Sequence, residues 1–264
     1  MLGTGAADGW PNAFCRCDSC RDARHQGDLR GQTSALVDGH VLLDCGPSTP
    51  EAAARAGVDL AGVDLVLYTH GHSDHFSPAV LLHRSWVQDR PLTVAGPPDV
   101  IAAARHWVAP EAAITWRPVR PGDAFEAGGV AVRVLASSHR THLGTAEEPD
   151  AVLFDVRASH RLLWATDTGP LPEATVEAVR EVAFDIVCLE QTFGDREDLA
   201  GAGHLWLGSF AEQVRRLREV GSVTDATDVV AVHLSHHNPP RAALAQRVAA
   251  VGARIVPDGT VLRP

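Results

Sequence analysis

The feature that most constrains this chain is a run of metal-binding side chains between positions 70 and 75. It follows the apolar stretch Asp64 to Thr69, whose composition predicts a buried strand. Imidazoles at positions i and i+2 of an extended segment point the same way, so His70 and His72 can bind one metal ion. The turn that follows redirects Asp74 and His75 towards a second ion. The spacing therefore predicts a dinuclear metal centre at the end of a strand.

The rest of the chain alternates between short apolar runs and helical patterns. The runs predict strands at Thr33 to Val37, Val41 to Asp44, Leu65 to Thr69, Leu92 to Ala95, Val130 to Leu135, Ala151 to Val156, Leu162 to Thr166, Ile186 to Glu190 and Val229 to Leu234. Helices are predicted at Pro50 to Ala56, Pro78 to Val87, Asp99 to Val108, Pro172 to Val182, Phe210 to Val220 and Arg241 to Val251. No repeat or long linker interrupts the pattern. A single α/β domain over residues 1–264 is expected, with ligands bound at strand ends.

The amino-acid composition excludes several classes of catalytic site and of binding partner. All 23 basic residues are arginine, which excludes a Walker A loop, a Schiff-base lysine and a Ser-x-x-Lys acylase. The net charge of -10 argues against nonspecific binding to nucleic acid or to an anionic membrane. The sequence shows neither a long apolar span nor the basic start of a secretory signal. We expect a cytoplasmic protein with no membrane partner.

The order His70-x-His72-x-Asp74-His75 resembles the signature of the metallo-β-lactamase superfamily. This resemblance implies an αββα sandwich of two mixed sheets flanked by helices, and it implies further site residues at later strand ends. These are Asp44, which would orient a metal-binding histidine, His139 for the first metal, Asp167 as a bridge between the metals, and His233 for the second metal. His142 lies three residues after His139 on the same polar loop and is the alternative ligand of the first metal.

Three cysteines crowd together as Cys15, Cys17 and Cys20, which is too tight for a disulfide framework and suggests a metal. The pattern Cys15-x-Cys17-x-x-Cys20 resembles the N-terminal metal knuckle of PhnP-like phosphodiesterases, a subgroup of the same superfamily. The resemblance implies that His236 completes a closed structural zinc site. Cys45 and Cys188 lie in apolar runs and are expected to be buried core residues.

The PhnP-like resemblance also implies a role and a reaction. His204 matches a histidine that contacts the substrate phosphate, and it is the candidate acid for the leaving oxygen. The implied function is hydrolysis of a small or cyclic phosphodiester, of the phosphoribosyl cyclic phosphate type, by a metal-bridged hydroxide. Histidine and carboxylate ligands suit zinc, manganese and iron alike.

Several alternatives share these ligands. A lactonase, a thioesterase and an RNase Z-like nuclease would use the same metal centre, whereas a noncatalytic protein of PqqB type would keep the cysteines without turnover. The segment Arg140 to Asp150 carries Glu147 and Glu148 beside the expected site, and such an acidic rim would repel a polyanion. We therefore expect a small-molecule substrate rather than nucleic acid. A homodimer is compatible with the sequence.

Overall fold

A computed structural model describes residues 1–141, 151–199 and 203–263. Its helices are α1 Asp18–Gln26, α2 Thr49–Arg55, α3 Pro78–Ser85, α4 Pro98–Arg105, α5 Glu173–Ala178, α6 Leu207–Glu219 and α7 Arg241–Ala249. Its strands are β1 Ala35–Val37, β2 Val41–Leu43, β3 Leu65–Leu67, β4 Leu92–Gly96, β5 Ile114–Pro118, β6 Ala124–Ala127, β7 Val130–Ala136, β8 Val152–Arg157, β9 Arg161–Ala165, β10 Ile186–Glu190, β11 Asp228–Val232 and β12 Ala253–Arg254. Among these described residues, no helix has the length and apolar character that crossing a membrane requires.

The strands form two mixed sheets. The first sheet has five strands in the order β1-β2-β3-β4-β5, with β1 antiparallel to β2 and parallel pairing from β2 to β5. The second has seven strands in the order β12-β11-β10-β9-β8-β7-β6. Its pairing is parallel from β12 to β9 and antiparallel from β9 to β6.

The sheets pack face to face over an apolar core. Leu43 and Leu67 of the first sheet lie in one buried cluster with Phe154, Trp164 and Val232 of the second, and none of these side chains is exposed. Burying each such side chain contributes about 1.5 to 3 kcal/mol, so this layer is a main source of stability.

Helices cover the outer faces. On the first sheet, α2, α3 and α4 contribute Ala52, Leu81 and Ile101 to a second buried cluster. On the second sheet, α1, α5, α6 and α7 contribute to a third cluster, for example through Phe210 and Leu244. The arrangement is the α/β sandwich of two mixed sheets that the sequence predicts, and the fold class is confirmed.

Each predicted strand and helix has a counterpart, with bounds shifted by a few residues at most ends. The structure adds α1, β5, β6 and β12, which apolar patterning did not indicate. Helix α1 begins where the Cys17 thiol accepts a hydrogen bond from the Cys20 N–H, and it ends at Gly27 with a left-handed φ of 66°. Capping, rather than an apolar stripe, therefore defines this helix.

Candidate metal centre

The candidate ligands, and Asp44 that orients them, lie at the carboxyl ends of strands from both sheets. Asp44 follows β2, the run His70–His75 follows β3, and His139 comes after β7; Asp167 and His233 come after β9 and β11. Strands β2 and β3 are parallel, as are β9, β10 and β11, and β7 runs in the same direction as β9. These ends therefore meet at one edge of the sandwich, where α/β folds commonly bind ligands.

The first group consists of His70, His72, His139 and Asp167, whose ligand atoms lie within 4.8 Å of one another. His72 Nδ1 is 3.1 Å from His70 Nε2 and 3.2 Å from His139 Nε2. His139 Nδ1 lies 2.9 Å from the Gly203 carbonyl oxygen, which can only accept, so Nε2 of the neutral ring presents a lone pair to the group. Ring nitrogens that converge in this way fit a divalent metal ion between them.

The second group consists of Asp74, His75, Asp167 and His233, again within 4.8 Å of one another. His75 Nε2 lies 3.0 Å from an Asp74 oxygen and 3.3 Å from an Asp167 oxygen, yet it is buried and makes no hydrogen bond within the described residues. His233 Nε2 lies 3.2 and 3.0 Å from the same two carboxylates. This orphaned nitrogen between two carboxylates fits a second metal ion, and Asp167 is shared by both groups.

The charge state of Asp167 suits a shared ligand. Burial alone would raise the pKa of this carboxyl, but the charges of His233 and His75 hold it well below its ordinary value. The side chain is therefore a carboxylate with only acceptor oxygens, which is the form that binds metals.

Asp44 connects the two groups. Its buried carboxylate accepts hydrogen bonds from the Thr69 N–H at 2.8 Å, the Thr69 hydroxyl at 2.9 Å and the Trp164 indole at 3.0 Å. It also lies 3.0 Å from His75 Nδ1, which directs Nε2 of that ring into the second group. The Thr69 hydroxyl is 3.0 Å from His70 Nδ1, so one network orients rings of both groups.

Backbone strain concentrates at these strand ends. Asp44, Asp167 and His233 have φ values of 52°, 53° and 56°, in the left-handed region that costs non-glycine residues about 1 to 3 kcal/mol each. Nearby, a Cβ at Gly46 would lie 1.9 Å from the Asp74 carbonyl oxygen. Only glycine lets the turn after Asp44 approach the loop that carries Asp74 so closely.

His204 lies beside the second group. Its ring stacks on the His233 ring with centroids 5.2 Å apart, and its Nδ1 is 2.8 Å from an oxygen of Glu190. Burial alone would lower the pKa of His204, but the charges of Glu190 and Asp167 raise it to about 9. This raised pKa favours the protonated form of the His204 imidazole, which lies next to rings of both groups.

Sequence analysis did not single out Glu190, which is fully buried at the end of β10. It accepts hydrogen bonds from the backbone N–H groups of Thr168 and Gly169 at 2.6 and 2.7 Å. Burial opposes ionisation, but the charge and hydrogen bond of His204 lower the pKa of Glu190 to about 2. Glu190 closes a buried strand much as Asp44 follows β2, and that position is the signal by which the sequence could have identified it.

The cysteine knuckle, residues 15–20 with His236, lies apart from the two groups. The ligand atoms of Cys15, Cys20 and His236 lie within 4.8 Å of one another, and two thiols with an imidazole form a donor set that fits zinc. Cys17 is not part of this set; its Sγ accepts a hydrogen bond from the Cys20 N–H at 3.4 Å. His236 Nδ1 lies 3.0 Å from an Asp8 oxygen, a partner that sequence analysis also missed.

Part of the predicted site lies outside the described residues. This applies to His142, the alternative to His139, and to the acidic residues Glu147, Glu148 and Asp150. In the described part of the chain, His139 occupies the third histidine position of the first group.

Known proteins match the segment of the chain that carries the two ligand groups. Residues 40–234 match the beta-lactamase superfamily domain, a segment that runs from before Asp44 to just after His233. Among curated proteins, the chain is 34% identical over 122 residues to ribonuclease Z of Mycobacterium bovis (strain BCG / Pasteur 1173P2), a match that covers 38% of this chain and 44% of that protein. The chain spans 15% to 44% of the length of the first curated relatives it matches.

Two solved structures cover nearly the whole chain. Zinc-bound PqqB from Methylobacterium extorquens aligns with a TM-score of 0.75 and 20% identity over 100% of this chain and 98% of that chain. A diphosphatase from the PhnP family aligns with a TM-score of 0.75 and 21% identity over 98% and 93%. At these identities the likeness shows the fold alone.

The curated relatives do not support the expectation that nucleic acid is not a substrate, because several of them are named ribonuclease Z. The matched segment contains Asp44 and both histidine and aspartate groups, and it covers most of the chain. The chain therefore belongs to the beta-lactamase superfamily, a family of metallo-β-lactamase-fold hydrolases whose fold implies divalent metals.

Proposed function

We propose that the protein is a dinuclear metal-dependent phosphodiesterase that cleaves a small or cyclic phosphodiester. The observation that carries this proposal is the arrangement of two ligand groups around one shared carboxylate, Asp167, with the His204–Glu190 pair beside them. Two metals suit an in-line displacement at phosphorus because they stabilise both the attacking and the leaving oxygen. A histidine paired with a carboxylate suits protonation of the leaving oxygen.

The proposed ligand assignment uses every member of the two groups. His70, His72 and His139 would hold the first metal, Asp74, His75 and His233 would hold the second, and Asp167 would be shared between them. When bound, two divalent ions (zinc, manganese or iron) supply an activated water at neutral pH and neutralise charge on the phosphoryl oxygens. The chain orients the rings through partners on their other nitrogens, which are Thr69 for His70, Asp44 for His75, Gly203 for His139 and Thr192 for His233.

His204 is the proton donor that we propose for the leaving oxygen. Glu190 holds its Nδ1, which leaves the N–H at Nε2 for the substrate. Glu190 also binds the backbone directly after Asp167, so the acid and the bridging ligand are held by one carboxylate. We assign proton donation to His204 and positioning of His204 to Glu190.

A substrate panel on metal-loaded protein tests the proposal. Bis-p-nitrophenyl phosphate is compared with a lactone and a thioester, using protein whose zinc and manganese contents have been measured. We expect kcat/KM for the diester to exceed the other two by at least about 10-fold, because two metals and an acid match phosphoryl transfer. Faster turnover of the lactone or thioester contradicts it, and metal-loaded protein inactive on all three favours the PqqB-like noncatalytic alternative.

An RNase Z-like nuclease is the second candidate, and the ribonuclease Z relatives are the observation that favours it. Such an enzyme uses the same ligands on a polyanionic substrate. The net charge of -10 opposes binding to a phosphate backbone. Adding a precursor tRNA to the panel separates the two candidates, since a nuclease cleaves it in preference to the small diester.

We further propose that Cys15, Cys17, Cys20 and His236 hold a structural zinc, with the Cys17 side chain turning from its capping contact to complete the site.

We also propose that residues 1–264 form one domain. Contacts between early and late segments support this: the Thr4 hydroxyl donates to an Asp258 oxygen at 2.8 Å, and Arg30 Nη1 donates to the Val256 carbonyl oxygen at 2.8 Å.

A further inference from the structure

One buried hydroxyl, that of Thr192, joins the His204–Glu190 pair to the second ligand group. Thr192 Oγ1 donates to Glu190 Oε2 at 2.6 Å and lies 3.0 Å from His233 Nδ1. The same Glu190 oxygen lies 2.8 Å from His204 Nδ1. Thr192 and His233 are 4% and 3% exposed, so these contacts are shielded from bulk water. The proposed acid and a proposed ligand of the second metal therefore lie on one continuous hydrogen-bonded path.

The direction of these hydrogen bonds sets the tautomer of His233. A threonine hydroxyl has one hydrogen to donate. Because Thr192 donates that hydrogen to Glu190, it can only accept from His233, whose Nδ1 must then carry a hydrogen. Nε2 of the neutral ring keeps a lone pair, and it faces carboxylate oxygens of Asp74 and Asp167 at 3.2 and 3.0 Å. This is the form in which an imidazole binds a metal ion.

Without this constraint the ring would take the opposite tautomer. The carboxylates of Asp74 and Asp167 accept hydrogen bonds and donate none, so they favour an N–H at His233 Nε2. A metal ion would have to displace that hydrogen before binding, which lowers its affinity. The Thr192 hydroxyl thus opposes the tautomer that the two carboxylates favour.

The first ligand group contains the same arrangement. Thr69 Oγ1 donates to Asp44 at 2.9 Å and lies 3.0 Å from His70 Nδ1. A carboxylate at a strand end, a threonine hydroxyl and the Nδ1 atom of an imidazole thus follow one another in both groups. The recurrence supports a common role, which is to orient a metal-binding ring through its other nitrogen.

We propose that Thr192 is a positioning residue that passes the influence of Glu190 to His233, so that one carboxylate serves both the proposed acid and the second metal. The inference deepens the proposed function and rests on its assignment of His233 as a ligand. It makes Glu190, which is not among the proposed ligands, a determinant of metal affinity. A role of Glu190 towards His204 alone would not have this consequence.

The substitution Glu190→Gln separates the two roles. The glutamine oxygen can still accept from the backbone N–H groups of Thr168 and Gly169, whereas its amide NH₂ donates to the Thr192 hydroxyl. That hydroxyl then donates its own hydrogen to His233 Nδ1, and the hydrogen of the ring moves to Nε2. Glu190→Gln should therefore weaken metal binding at a ring that Glu190 does not touch.

Zinc binding to initially metal-free protein tests the relay without requiring turnover. Native mass spectrometry counts bound zinc at free-zinc concentrations set by a chelator, and circular dichroism checks the fold. We expect Glu190→Gln and Thr192→Val each to weaken the binding of one zinc by about 10- to 100-fold, the usual effect of losing the partner of a metal-binding histidine. Thr192→Ser keeps the hydroxyl and should bind every zinc within about threefold of wild type.

Two further variants are controls. His204→Ala removes the other side chain that contacts the Glu190 oxygen, and it should leave zinc binding unchanged. Thr227→Val removes the hydroxyl of a buried threonine that donates to the Phe184 carbonyl oxygen, at the end of β11 opposite His233. It should also bind zinc as the wild type does.

The double variant Glu190→Gln/Thr192→Val distinguishes the relay from a simple effect of charge. If the hydroxyl carries the influence, the double variant binds zinc within about threefold of Thr192→Val, because no path remains. Additive losses overturn the relay, and so does wild-type zinc affinity in folded Glu190→Gln. Unchanged zinc binding in His233→Ala overturns the ligand assignment together with the relay. Failure of the phosphodiesterase function alone is a different result, namely the expected zinc affinities in protein that hydrolyses no diester.

Discussion

The two ligand groups at the strand ends and the cysteine knuckle are built from metal-binding side chains, yet their surroundings differ. His70 and His75 are fully buried. The Nδ1 atom of His70 contacts the Thr69 hydroxyl, and the Nδ1 atom of His75 contacts the Asp44 carboxylate. The knuckle spans the loop before α1 and the first turn of that helix, and its cysteines range from exposed Cys17 to buried Cys20. Neighbouring residues thus hold the first region in its ligand geometry, whereas the second is the region that we propose a structural zinc stabilises. We therefore expect metal loss from the strand-end groups to abolish hydrolysis, and metal loss from the cysteine knuckle to lower the stability of the fold.

The two regions are joined through one short segment. His233 of the second group and His236 of the knuckle lie three residues apart, and Leu234 between them pairs with the N-terminal segment. The Leu234 N–H donates to the Thr4 carbonyl oxygen at 3.0 Å, and the Ala6 N–H donates to the Leu234 carbonyl oxygen at 3.1 Å. Variants in each region therefore test how far their effects remain separate.

The largest expected effect follows from His75→Ala. This change removes a ligand of the second metal, and the rate on bis-p-nitrophenyl phosphate should fall by at least about 10³-fold because both metals serve the displacement. Kinetics, metal analysis and circular dichroism measure rate, metal content and fold together. His83→Ala is the matched control, because His83 is exposed on α3 outside the groups. A folded His75→Ala protein with full activity would falsify the dinuclear assignment.

His204→Ala should separate acid catalysis from metal binding. We expect every metal to remain and turnover to fall by about 10² to 10⁴-fold on a diester with a poor alkoxide leaving group, which is the usual contribution of a positioned acid. The loss should be much smaller for p-nitrophenolate, which leaves without protonation. Equal losses on both substrates would mean that His204 binds phosphate instead. Rates within about twofold of wild type would leave it without a catalytic role.

Asp44→Ala should have an intermediate effect, because Asp44 orients His75 without being assigned to a metal. We expect a loss of about 10- to 100-fold in activity or metal affinity. Titration of the metal-free variant with zinc, followed by activity, measures both quantities. A loss as large as that of His75→Ala would place Asp44 among the ligands themselves.

Cys17→Ser should have the smallest effect on activity at 25 °C and a clear effect on stability. Structural zinc contributes on the order of 10 kcal/mol of binding free energy linked to folding, so the melting temperature should fall as zinc is lost. Phe14→Ala, a fully exposed neighbour on the same loop, serves as the control. If Cys17→Ser neither loses zinc nor melts earlier, Cys17 has only the capping role that its contact with Cys20 shows.

Elements with a buried apolar pattern could be predicted from the sequence, and those formed by tertiary context could not. Strands β5 and β6 lie at the edges of their sheets and alternate with exposed residues, so no apolar run marks them. One contact that joins these edges is the Arg117 guanidinium over the Phe125 ring at 4.3 Å, a pairing that becomes visible only in three dimensions.

The site also has a part that the sequence predicts and a part that it does not. Four ligand-type residues, His70, His72, Asp74 and His75, are recognisable because they follow one predicted strand within six residues. Glu190 was missed because its contacts depend on β10 lying between β9 and β11. Sequence order shows neither that arrangement nor the hydrogen bonds it creates.

Counting the metals bound per chain tests most directly whether two catalytic metals and a separate zinc are present. Native mass spectrometry of zinc-loaded protein should show about three metals in the wild type and about two in both His75→Ala and Cys20→Ser. Only Cys20→Ser should keep most of its diesterase activity at 25 °C. A wild type with a single metal, or a His75→Ala protein with unchanged metal content and rate, would contradict the assignment of two separate regions.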